Sequence, residues 1–199
     1  MINLDNICQK AIDGIDDLQG IYIKEKLIES CKNIIRESMD SEGIRDSVIQ
    51  AALELTTEQE PKWQYVASKL YVYRLYDEVR RNRRIDLEEK PYSKFYEFIK
   101  EMTDKNLYGK YILENYSKAE IQELEKEIKP ERDFIFTYSG IDLLTKRYLI
   151  QDYNRKPLEL PQQMFMGIAM HLAIPEDKQN RLVWAKRFYD VLSSLKATM

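Results

Sequence analysis

Residues 160–172 read LPQQMFMGIAMHL, and AIPEDKQNRLVWAKRFYDVLSSLKATM follows to residue 199. Proline at the first turn is compatible with a helix start, because its missing N–H would have no intrahelical partner there. The apolar run behind it predicts a helix over 161–173. A second, amphipathic helix is expected over roughly 176–195. Two helices in tandem, one apolar nearly all round, put a helix-on-helix core at this end of the chain. Neither offers an obvious nucleophile, general base or metal set.

Working upstream, YLIQDY, a turn at NRKP, and LEL change the period from helical to alternating and read as a short β-hairpin, the one set of strands expected. Before it, ERDFIFTYSGIDLLTKRY continues helically. SKAEIQELEKEI opens with Ser117 and Glu120 in the S-x-x-E spacing of a capping box. YSKFYEFIKEMT is a further helix. The run RRNRRIDLEEKP, residues 80–91, is polar and ends in proline, which places a boundary near residue 88 and divides the chain into modules 1–88 and 89–199.

The first module reads as four helices. Ile7, Ala11, Ile12 and Ile15 recur at helical spacing behind a cap at Asn3 or Asp5; Ile23, Leu27, Ile28, Cys31, Ile34 and Ile35 follow, ending near Ser38. Ile44, Val48, Ile49, Ala52 and Leu53 form the third, with Ser41 as its expected cap. The fourth, KWQYVASKLYVYRLYDEVRRN, is expected to bury Tyr65, Val66, Leu70, Tyr73 and Leu75. The fold class expected is therefore mainly α: a helical bundle with one short hairpin behind a four-helix module.

At 199 residues and 44% hydrophobic side chains the chain can build substantial cores, and its net charge of −3 exerts no pull toward nucleic acid or an anionic membrane. Two cysteines, Cys8 and Cys31, are too few for a disulfide framework or a CxxC zinc site and suit a reducing cytosol, each expected reduced on a helix. The start MINLDNICQK lacks a signal-peptide pattern and no apolar run approaches a membrane span, so the expected location is cytoplasmic. The scattered glycines exclude GxGxxG and GxxxxGK[ST] phosphate loops, and one histidine without HExxH excludes a self-contained zinc site.

Other groups carry residue types suited to chemistry. Arg80, Arg81, Arg83 and Arg84 could grip a phosphate, but cations also suit a solvated helix C-terminus. His171 among apolar residues is expected to be a partly buried structural side chain. The tyrosines of 65–76 and 92–116 could stack bases, yet no matching strand motif is present, and packing accounts for them. Met164, Met166 and Met170 are adaptable core filler. No carboxylate pair stands out for acid–base work.

Read continuously, KPERDFIFTYSGIDLLTKRYLIQDYNRKPLELPQQMFMGIAMHLA resembles the N-terminal helical region of class I ribonucleotide reductase large (alpha) subunits. The shared features are Glu131-Arg132-Asp133, Tyr138, Gly140, Leu144, Tyr148-Leu149 and Glu159-Leu160-Pro161-Gln162, with WAKRFYDVLSSLKATM similar to the family's next helix. The resemblance covers roughly residues 92–199. Upstream, INLDNI, GIRDSVIQAALEL and PKWQYVASKLYVYRLY look like a partial ATP-cone, the regulatory module that precedes this region in many large subunits.

The resemblance implies that the helix pair is scaffold against a ten-stranded catalytic barrel, and that the family's catalytic cysteines, their Glu and Asn partners and the tyrosine relay match nothing in this chain. It therefore implies no catalytic residue here. Asn3, Ser41 and Arg45 match or neighbour nucleotide-binding cone positions, but the phosphate-holding hairpin is absent, and Asn6 and Asp77 stand where cations are expected. Weak or absent ATP or dATP binding is the expectation. The implied partners are the remainder of the large subunit, a small metal-bearing, radical-generating subunit and a neighbouring alpha chain, with no nucleic acid, membrane or metal on this chain. The alternatives are a stand-alone nucleotide-sensing cone module or an unrelated helical interaction protein.

Overall fold

The computed structural model describes residues 4–15, 21–36, 38–86 and 90–197. Among these residues the chain is almost wholly helical: α1 (Leu4–Ile12), α2 (Ile21–Ile34), α3 (Ser41–Glu54), α4 (Trp63–Arg83), α5 (Phe95–Asp104), α6 (Tyr111–Asn115), α7 (Lys118–Glu125), a 3-10 turn (Pro130–Ile135), α8 (Tyr138–Arg147), α9 (Pro161–Leu172) and α10 (Arg181–Ser193). No helix among them is long and apolar enough to cross a membrane.

The expected hairpin contracts to one antiparallel bridge, Gln151 with Pro157. Asp152 N donates to Lys156 O and Leu158 N to Ile150 O, both at 2.9 Å. The next ladder donor, Ile150 N, is taken instead by the Glu159 carboxylate at 2.9 Å. Asp152 Oδ1 accepts from Asn154 N and Lys156 N, each at 2.8 Å, and this closes the turn with Arg155 at φ +61°. Side-chain capture of backbone donors thus replaces strand pairing.

Several helix boundaries also differ from the periodicity. The cap of α3 is Asp40, whose Oδ1 accepts from Gly43 N at 2.8 Å, and not Ser41. The segment ERDFIF is a 3-10 turn, separated from α8 by Thr137, whose Oγ1 accepts from Gly140 N at 3.2 Å. Helix α10 starts at Arg181, later than residue 176, and the five-residue α6 carries too little periodicity to read from sequence. The Ser117 capping box is formed as expected, with Ser117 N donating to Glu120 Oε2 at 2.7 Å and Glu120 N to Ser117 Oγ at 3.3 Å.

The chain divides into two compact units, residues 1–77 with 134–144, and residues 78–133 with 145–199. In the first, α2 packs against α1 and α3 over a core containing Cys8, Ile12, Leu27, Cys31, Val48, Ile49, Trp63, Val66 and Leu75. On α4 Tyr76 and Tyr71 are buried, whereas Tyr65 is half-buried and Tyr73 is exposed, contrary to expectation. Tyr71 and Tyr73 nevertheless hold the 134–144 segment: Tyr71 meets Tyr138 edge-on at 5.7 Å between ring centres, and Tyr73 lies 5.5 Å from Phe134.

The second unit is built on α9, which buries Pro161 through Gly167, Ala169 and Met170 and packs most extensively against α10. Met164, Met166 and Met170 are buried as expected. Gly167 is required by a close approach: a Cβ there would lie 1.6 Å from Tyr108 Oη. Phe95 and Phe98 of α5 stack at 6.0 Å and complete this core with Ile99, Met102, Ile121 and Leu124.

Candidate functional site

In the second unit three of the motif residues, Arg132, Asp133 and Gln162, converge on a buried polar network. Asp133, in the 3-10 turn, and Gln162, in the first turn of α9, are both fully buried. Gln162 Nε2 donates to Asp133 Oδ1 at 2.9 Å, and Tyr92 Oη donates to the other carboxylate oxygen. The Gln162 backbone N–H reaches Tyr92 Oη at 3.3 Å. From α10, Tyr189 Oη donates to Gln162 Oε1 at 2.8 Å and accepts from Lys129 N at 2.8 Å. Burial pushes the Tyr189 hydroxyl above its ordinary pKa, so it remains a donor at neutral pH.

Arg132 fastens the outer side of this network. Its guanidinium donates to Ser193 Oγ and Asp190 Oδ1 and lies 5.7 Å from the Tyr189 ring centre. The Arg132 side chain holds the exposed Asp190 carboxyl below its usual range. Thus Arg132, Asp133 and Gln162 tie the 3-10 turn, α9 and α10 together. Sequence reasoning singled out these three as motif members, but not Tyr92 or Tyr189, whose partners lie 41 and 27 residues away along the chain.

Glu159 is a second buried carboxyl, 2% exposed, held by the Ile150 N–H. Burial raises its pKa to about 8, against the lowering effects of that hydrogen bond and of Arg83. Arg83 itself is engaged: its Nε and Nη2 donate to Glu101 Oε2 at 3.0 and 2.9 Å, and its side chain is only 8% exposed. This member of the 80–84 cluster is therefore a buried ion-pair partner, neither a phosphate grip nor a solvated cap. His171 is exposed, contrary to expectation, and meets the Tyr111 ring at 4.9 Å.

The nucleotide-site residues belong to the first unit. Asn3 lies outside the described residues, and of Ser41 only the backbone position, at the start of α3, is described. Arg45, one turn further along α3, ion-pairs with Asp77 of α4. Arg74 pairs in the same way with Asp46. Arg45 is thus the partner of Asp77, which with Asn6 stands where the cone pattern expects a cation. Among the described residues no group of three or more His, Cys, Asp or Glu could hold a metal ion.

Residues 134–199 match the family model described as ribonucleotide reductase, all-alpha domain. The chain is 40% identical over 164 residues to the ribonucleoside-diphosphate reductase subunit alpha of Treponema pallidum, covering 82% of this chain and 19% of that protein. It is 35% identical over 199 residues to the namesake from Helicobacter pylori strain ATCC 700392 / 26695, covering 98% and 23%. With ribonucleoside-diphosphate reductase 1 subunit alpha of Escherichia coli K12 it shares 25% identity over 204 residues, covering 100% and 25%. The segment that matches the ribonucleotide reductase all-alpha class, residues 134–199, carries Gln162 and Tyr189 of the buried network. Over most or all of its own length the chain is similar to ribonucleoside-diphosphate reductase alpha subunits. It spans about a fifth to a quarter of the length of the curated relatives it matches.

Proposed function

We propose that the chain is the regulatory and scaffold portion of a ribonucleoside-diphosphate reductase large subunit, an enzyme that reduces ribonucleoside diphosphates to deoxyribonucleotides by radical chemistry. The observation that carries the reading is the enclosure of the family-like motif residues. Asp133 and Gln162 are fully buried and their polar atoms are engaged by one another, Tyr92 and Tyr189, so they position helices and cannot touch a substrate. In this reading residues 89–199 support the catalytic barrel supplied by the remainder of the large subunit. A small subunit carrying the metal–radical cofactor completes a cytoplasmic enzyme, and the chain by itself is inactive.

Residues 1–88 are then a degenerate ATP-cone-like module, with Asn3, Ser41 and Arg45 as its nucleotide-facing remnant. The Arg45–Asp77 pair supports weak binding, because ATP or dATP phosphates must compete with a carboxylate already satisfying the cation. Isothermal titration of ATP and dATP into the folded chain tests this module. The expected result is no saturable heat at micromolar nucleotide; tight binding would make it an allosteric sensor. Turnover of any ribonucleoside diphosphate by the isolated chain would overturn the scaffold reading.

A further inference from the structure

Residues 146–156, KRYLIQDYNRK, hold four cations against one carboxylate in a chain whose net charge is −3. Lys146, Arg147, Arg155 and Lys156 are all exposed. Lys146, Arg147, Tyr148, Gln151 and Arg155 line a surface hollow of about 810 Å³ within the second unit. The same segment displays two phenol rings, Tyr148 at 64% exposed and Tyr153 at 97%. A ring as exposed as that of Tyr153 adds almost nothing to the core, and the reductase reading uses none of this surface.

Hydrogen bonds hold the hollow in shape and leave its arginines unspent. Gln151 Nε2 donates to Thr145 O at 2.6 Å, which ties the turn to the end of α8. Asp152 Oδ1 accepts from Asn154 N and Lys156 N, each at 2.8 Å, so the one carboxylate of the segment serves the backbone. Arg155 N donates to Asp152 O at 2.9 Å, with Arg155 at φ +61°. Among the described residues neither Arg147 nor Arg155 has a carboxylate partner. Cations elsewhere do: Lys26 pairs with Glu60, Arg74 with Asp46, and Lys186 with Glu123 and Glu127.

We propose that this face docks an acidic segment of another protein. The forks of Arg147 and Arg155 receive its carboxylates, and an apolar or aromatic side chain of the segment lies on the Tyr148 ring. Arginine and tyrosine are enriched among the residues that dominate binding at protein interfaces.

The geometry favours carboxylates spaced along a peptide over one compact anion. Lys146 and Arg147 occupy the last turn of α8, where the helix dipole presents roughly half a negative charge. A phosphate seated against the helix end meets that charge, whereas carboxylates that reach the exposed guanidinium groups avoid it. A patch of four cations on a chain of net charge −3 is also a poor track for a nucleic-acid backbone. The inference is independent of the reductase reading.

The test is fluorescence anisotropy of a labelled peptide alternating glutamate and phenylalanine, titrated with the full chain at low and high salt. The expected result is saturable binding that salt weakens. The R147E/R155E double variant should weaken it by roughly tenfold, and Y148A severalfold. K100E/K110E makes the same change of charge at two exposed lysines outside the hollow and should leave binding unchanged. Crosslinking of the peptide to the unsubstituted chain should mark residues 146–156, which decides the location even if a variant fails to fold. Absence of binding would overturn the proposal, as would equal losses in the two double variants or a crosslink elsewhere. Displacement by equimolar inorganic pyrophosphate would assign the hollow to a small anion, and tighter binding of oligothymidylate would assign it to nucleic acid; either overturns the peptide reading.

Discussion

Asp133 and Gln162 stand 29 residues apart in the chain, yet their side chains meet at 2.9 Å inside a region where both are fully buried. The contact makes the 3-10 turn and the first turn of α9 one rigid piece. Burial of the pair makes loss of either partner costly, since a buried polar group left without its partner loses its hydrogen bond uncompensated.

Replacing Asp133 with alanine should strand Gln162 Nε2 and Tyr92 Oη, and should destabilise the chain by about 3 kcal/mol. Tyr92→Phe removes only the phenolic donor and should cost about 1.5 kcal/mol. Urea unfolding of both single variants and the double variant tests this. A double variant whose loss equals the sum of the singles would contradict the shared contact.

Glu159 predicts a pH dependence of definite sign. Its folded pKa is raised from 4.5 to about 8 by burial, so between these values the folded chain holds a proton that the unfolded chain has released. Its stabilising contribution is full below about pH 4.5, falls as pH rises, and is gone above about pH 8, a change on the order of 5 kcal/mol. Glu101 and Asp190, whose pKa values are lowered, act at lower pH and do not oppose this slope. Denaturant midpoints measured from pH 5 to pH 9 should decline in the native chain and stay nearly level in Glu159→Gln.

Gly167 sits where α9 meets Tyr108, and an added Cβ would fall 1.6 Å from the phenolic oxygen. Tyr108 would have to leave its packing against Phe98, where the ring centres are 6.2 Å apart. Gly167→Ala should therefore lose about 1–3 kcal/mol despite alanine's better helix propensity. A stabilised variant in thermal unfolding would show that Tyr108 yields freely.

Ser117→Ala removes an acceptor from the α7 N-terminus and should cost about 1 kcal/mol. Glu120→Gln, which keeps a hydrogen-bonding side chain at the third helical position, should cost less. Hydrogen exchange at Glu120 N–H, faster in the alanine variant alone, would report the loss locally.

Much of the architecture is written in local pattern. Pro161 opening an apolar run, the Ser117–Glu120 cap and the spacing of Leu27 and Cys31 on α2 each act within one or two helical turns, and each forms in the structure. Where one side chain could choose among nearby backbone groups, the pattern was insufficient. Asp40 took the α3 cap in place of Ser41, and Glu159 took the donor that would have extended a hairpin.

Sequence by itself determined a mainly helical chain, the resemblance of its motifs to the reductase family and the absence of phosphate-loop signatures, because periodicity, caps and glycine patterns are short-range properties. Tertiary structure alone decided which charged and polar groups were spent on one another. The Arg45–Asp77, Arg83–Glu101 and Asp133–Gln162 partners are 32, 18 and 29 residues apart. No periodic signal spans such separations: the pairings depend on which helix faces pack together, and burial then fixes how strongly each pair is held.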